Sequence, residues 1–127
     1  SHQIEHELSA LYDVPHGAGL AVVFPAWMRY QLSKNPMRFA QFAVRVYGCS
    51  MDFEHPERTA LAGVEAHEAF LREIGMPVTL HELGARTEDI PALAAKTKKT
   101  NLETMTTGGA FPMTTQDIEA ILHLADR

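Results

Sequence analysis

Three histidines fall within a fifteen-residue stretch at the start of the chain, in His2-Gln-Ile-Glu-His6-Glu-Leu-Ser-Ala-Leu-Tyr-Asp-Val-Pro-His16-Gly. Neutral imidazole is the commonest protein ligand for a divalent transition metal. His2 and His6 are four residues apart, so on a helix they share a face. His16 follows a break. A helix over residues 2–11 advances about 13–14 Å, and the five residues to His16 return at most about 17 Å when extended. One ion can therefore be shared by His2 and His16 only if the chain doubles back at Asp13-Val14-Pro15. Pro15 and Gly17 favour such a reversal. The spacing permits a metal site; it equally fits an incidental pair of helical histidines. A site at the very start of the chain also leads us to expect further sequence upstream.

The elements that must position these residues read as helices. Ile4, Leu8 and Leu11 recur at helical spacing, and Asp13 to Gly17 is a break. Leu20, Val23, Phe24, Trp27 and Met28 form a second stripe, which Pro25 should kink. Asn35-Pro36 predicts an N-cap with proline at the first helical position, and Gly48 an end. His55-Pro56 opens the strongest helix, with Leu61, Val64, Leu71 and Ile74 on one side and Gly75 as its cap. Thr87 caps a short helix whose Ile90, Leu93 and Ala94 face inward. Residues 96–112 are polar, contain Gly108-Gly109 and read as a loop. Thr114 to Asp117 resembles a capping box ahead of Ile118, Ile121, Leu122 and Ala125. No segment alternates with period two over strand length. The fold class is all-α, with about six helices and short connections.

Composition narrows the function classes. The 127 residues fit one domain, and 46% hydrophobic residues suffice for a core. A net charge of −5 argues against a phosphate-tracking surface, and so against nucleic acid. The longest apolar stretch, Leu20 to Met28, is too short to span a bilayer. No secretory signal is visible. The single cysteine, Cys49, fits a reducing cytosol and reads as a small buried apolar side chain. The expectation is a cytoplasmic protein that binds neither nucleic acid nor membrane. His67, between Val64 and Leu71, reads as a satisfied, partly buried residue. His55 reads as a helix-start residue, and His81 and His123 lack close metal-binding partners. Trp27 and Met28 read as core, and Lys96, Lys98 and Lys99 as a solvated face.

Residues 2–26, His-x-x-x-His-Glu-Leu-Ser-Ala-Leu-Tyr-x-x-Pro-His-Gly-x-x-Leu-Ala-x-Val-x-Pro-Ala, resemble the metal-site segment of the iron-containing (group III) alcohol dehydrogenases. The resemblance is nearest to the branch of NADPH-dependent butanol dehydrogenases and aldehyde reductases. Beyond residue 30 it rests on layout, with a Gly-Gly loop and a closing Asp-Ile-x-x-Ile-Leu helix. It implies that residues 1–127 are a helical, metal-binding C-terminal domain whose N-terminal nucleotide-binding domain lies elsewhere. It implies His2 and His16 as two ligands of a divalent iron or zinc ion. It places His6 beside the nicotinamide of NADPH or NADH, either as a proton relay or as a wall of that pocket. The implied reaction moves hydride between the cofactor and a small aldehyde or alcohol, in an enzyme expected to be a homo-oligomer. The family's aspartate and remaining histidine ligand, and its Gly-rich phosphate loop, have no counterpart here, so the isolated chain should be inactive. The competing reading is a self-contained, non-catalytic helical module for metal binding or interaction.

Overall fold

In the computed structural model, which describes residues 1–126, every regular element is helical. The helices are α1 (His2–Tyr12), α2 (His16–Gln31), α3 (Pro36–Tyr47), α4 (Pro56–Glu73), α5 (Leu80–Leu83), α6 (Ile90–Lys96) and α7 (Thr115–Ala125). A single 3-10 turn, Thr87–Asp89, leads into α6. The described residues contain no strand, only the isolated bridges Asn101–Thr106 and Thr107–Met113. Among them no helix is long and apolar enough to cross a membrane.

Local chemistry explains several boundaries. Asn35 accepts a hydrogen bond from the Arg38 amide at 3.3 Å, and Pro36 begins α3 where its missing N–H costs nothing. Thr114 and Asp117 form a reciprocal capping box at the start of α7. Three elements differ from the sequence reading. Helix α5 was not foreseen, because four residues are too few to display a period; Thr79 caps it and Gly84 closes it. Thr87 does not cap α6; its hydroxyl instead donates to Asp126 at 2.7 Å. On α4, Val64 and Leu71 are buried but Leu61 is not, and Ile74, just past its end, is 56% exposed. The inward face of α4 runs instead through Thr59, Ala60, Gly63, Val64, Glu68 and Leu71.

Helix α2 is the spine, packing against α1, α4, α5 and α7. The helix runs through the buried Pro25. On one side Val22, Val23 and Ala26 meet Ile4 and Leu8 of α1, Leu93 of α6 and Ile118, Ile121 and Leu122 of α7. On the other, Met28 meets Phe39, Ala60 and Val64, with Trp27, Phe24, Phe42 and Phe111 packed around them. Polar ties lock the spine to its neighbours. Tyr30 donates to Asp117, joining α2 to α7. Arg29 reaches the buried Glu68 of α4 through Nη2 at 2.9 Å. Tyr12, at the end of α1, donates to Asp89 and accepts from the Arg86 amide at 3.1 Å.

Helices α3 and α4 approach closely because Gly63 faces Ala43. A Cβ on Gly63 would lie 2.5 Å from the Ala43 Cβ and 2.8 Å from its Cα. The second contact is with backbone, so a helix must shift to make room. Gly63→Ala should therefore destabilise the chain by about 1–3 kcal/mol despite alanine's better helix propensity. Urea unfolding monitored by circular dichroism checks this; an unchanged or higher midpoint would refute the close-packing account.

Candidate metal centre

Helix α1 buries Ile4, Glu5 and Leu8 and leaves His2 and His6 exposed on its adjoining face. It ends at Asp13, whose left-handed backbone (φ 52°) turns the chain while its amide bonds the Ser9 carbonyl at 2.9 Å. Aspartate tolerates this conformation better than most residues. Only residues 13–15 separate α1 from α2, and His16 is the first residue of α2. The chain thus doubles back where the sequence reading required it to.

The reversal gathers all three imidazoles. The ring centroids of His2 and His16 lie 5.6 Å apart, and those of His6 and His16 lie 5.5 Å apart. Two rings sharing one ion, with metal–nitrogen bonds of about 2.1 Å, have centroids no more than roughly 6.5 Å apart. Either pair therefore fits a common ion, and separation alone does not choose between them. Among the described residues, no three His, Cys, Asp or Glu side chains converge as a ligand set.

The sequence reading missed Glu5. This carboxylate is fully buried and bonded on both sides: Oε1 accepts from the Ser9 hydroxyl, and Oε2 meets His16 Nδ1. The Ser9 hydroxyl also lies 3.2 Å from the Val14 carbonyl, tying the cluster to the turn. Gly19 on α2 leaves the space that Glu5 fills; a Cβ there would lie 2.6 Å from Glu5 Cγ. The signal was an acidic residue between Ile4 and Leu8 on the inward side of α1, where burial demands a partner.

His2 borders two cavities. One, of about 360 Å³, is almost wholly apolar, with Leu20, Phe24, His67 and Leu71 in its walls. The other, of about 290 Å³, is lined by Gln3, Thr100, Thr107, Gly108 and Gly109. The polar loop of the sequence reading thus folds back beside the histidines. His67 is half-buried, its Nδ1 2.6 Å from the Tyr47 hydroxyl and its ring against Phe24 and Phe42. It has the satisfied environment anticipated for it. His55 stands at the start of α4 as read, and His123 lies 3.9 Å from Glu119 one turn earlier on α7.

An all-helical domain with histidines gathered at a helix reversal is the class that fold and site define. Residues 1–125 match the C-terminal part of the Fe-containing alcohol dehydrogenase family, and the chain belongs to that family. It is 42% identical over 96 residues, 76% of its length, to probable NADH-dependent butanol dehydrogenase 1 of Bacillus subtilis, covering 25% of that protein. It is 36% identical over 125 residues, 98% of its length, to lactaldehyde reductase of Escherichia coli, covering 31% of that protein. Among solved structures, NADH-dependent butanol dehydrogenase A of Thermotoga maritima superposes with a TM-score of 0.85 at 38% identity. That match covers 99% of this chain and 32% of the other. The chain thus spans about a quarter to a third of the length of the relatives it matches.

Burial holds the His67 pKa below its ordinary value of 6.5, and neighbouring Glu68 only partly offsets this. The unfolded chain therefore takes up the proton first as pH falls. The contribution of His67 to stability is complete above about pH 6.5 and declines as pH drops through the lowered folded value. The melting temperature should fall on acidification from pH 7 towards 5, and His67→Gln should flatten that fall. Identical profiles for the two proteins would contradict the burial argument.

Proposed function

We propose that this chain is the metal-bearing C-terminal domain of an oxidoreductase that moves hydride between NADH or NADPH and a short-chain aldehyde or alcohol. The observation that carries this reading is the gathering of His2, His6 and His16 at the α1–α2 reversal, in a chain of this family. The names of the relatives, butanol dehydrogenase and lactaldehyde reductase, support the substrate class. The greater length of those relatives supports a separate nucleotide-binding domain over a self-contained module. The enzyme is read as cytoplasmic and homo-oligomeric.

In this reading His2 and His16 are two ligands of a divalent iron or zinc ion, and the other donors come from outside residues 1–127. The ion supplies Lewis acidity to a carbonyl oxygen, and the nicotinamide supplies hydride. His2 and His16 hold their rings to one side of the reversal, and so fix where that oxygen is received. The apolar cavity beside His2 suits the hydrocarbon part of a short aldehyde. His6 stays unligated and exposed, facing the cofactor, where it either passes a proton to the oxygen that becomes the alcohol or shapes the nicotinamide pocket.

The isolated chain should not oxidise NADH or NADPH in the presence of butanal and a divalent metal. In the full-length enzyme, His2→Ala and His16→Ala should each strip the metal and abolish reduction. His6→Ala should lower turnover while metal content stays near that of the parent. Mass-spectrometric metal analysis alongside steady-state rates tests this. Metal lost in His6→Ala and retained in His2→Ala would reverse the ligand assignment.

A further inference from the structure

We propose that Glu5 is a positioning residue for the metal centre: it holds the His16 proton on Nδ1 and so leaves Nε2 as the ligating nitrogen. This rests on the reading of His16 as a ligand. An imidazole has two nitrogens, and the hydrogen bond made by one decides which lone pair the other presents. Ligating histidines commonly give their second N–H to a carboxylate, which fixes tautomer and ring orientation and raises ligand basicity.

The cluster is built for that task. Both Glu5 oxygens are occupied, one by the Ser9 hydroxyl and one by His16 Nδ1, so the carboxylate cannot swing away without losing a partner. It is fully buried, whereas the His16 side chain is 48% exposed, so the ring is gripped from inside and open outside. The exposed rings of His2 and His6 lie near it, at 5.6 and 5.5 Å. Gly19 makes the arrangement sterically feasible, because any side chain there would occupy the space of the carboxylate. A carboxylate needed only for solubility would stand on the outer face of α1. Burial of this one costs free energy that its two hydrogen bonds offset.

Nitrogen-15 imidazole spectra of the 127-residue chain, recorded without metal at a pH where the rings are neutral, give the first test. His16 should carry its proton on Nδ1; a proton on Nε2, or an even mixture, overturns the proposal. Glu5→Leu removes the acceptor. It should abolish the Nδ1–H preference and weaken Zn²⁺ binding by about 10–100-fold. Glu5→Gln keeps an acceptor without the charge, and should keep the Nδ1–H form with a smaller loss of affinity. A purely structural Glu5 would lower thermal stability in these variants and leave the His16 ring signals unmoved, which also overturns the proposal. Should Glu5→Leu fail to fold, the unsubstituted chain and Glu5→Gln still decide. His16→Ala separates the two readings. Zn²⁺ affinity unchanged in His16→Ala refutes His16 as a ligand. Affinity lost there but kept in Glu5→Leu refutes only the role of Glu5.

Discussion

A carboxylate buried where α1 turns back onto α2 governs this end of the molecule. Glu5 draws Ser9 from its own helix and His16 from the next onto one pair of oxygens. A buried carboxylate without partners would be strongly unfavourable, so the two helices are held in the one relative position that satisfies it. That constraint passes outward. His16 is oriented by the inner contact, and His2 and His6 follow because they ride on the same rigid helix as Glu5. Ile4 and Leu8, on either side of Glu5, anchor the helix in the main core. Apolar packing places α1, and the polar cluster sets its register against α2.

Much of this was legible in the sequence, and the unread parts have identifiable causes. The three histidines, the reversal between them and the family resemblance could all be found from residue types and spacing. Caps at Asn35 and Thr114 announced themselves because their hydrogen bonds are local. Non-local partners were another matter. Nothing near Thr87 in sequence points to Asp126, thirty-nine residues away, yet that bond replaces the cap the local pattern suggested. Leu61 and Ile74 satisfied the helical period of α4, but Gly63 and Ala43 set which face turns inward by allowing the closest approach there. Periodicity names a stripe; the packing partner chooses its centre.

Glu5 was overlooked for a related reason. Acidic residues on a helix are ordinarily solvated, and its neighbour Glu7 is indeed only partly buried. The feature that distinguishes Glu5 is space on another helix, supplied by Gly19. From sequence, a glycine one turn into α2 carries no signal of its own beside the break that ends at Gly17. In three dimensions it is the far wall of the carboxylate's pocket. The loop over residues 97–113 gives a similar lesson. Its polarity correctly marked it as irregular, but its place beside His2 is a non-local contact that no local pattern encodes.

The reversal at residues 13–15 has an entropic consequence. Loop-closure entropy grows with the logarithm of the number of residues enclosed. The histidine-bearing helices meet across three residues, whereas α2 and α7 meet across the eighty-three residues 32–114. By that scaling the second closure costs about 3 kcal/mol more than the first. Gathering the imidazoles is therefore largely a local event, opposed mainly by the left-handed backbone at Asp13, a conformation worth roughly 1–2 kcal/mol for an ordinary L-residue. The histidine cluster has the thermodynamic character of a helical hairpin, assembled by its own turn and anchored from beneath by the core around Ile4 and Leu8.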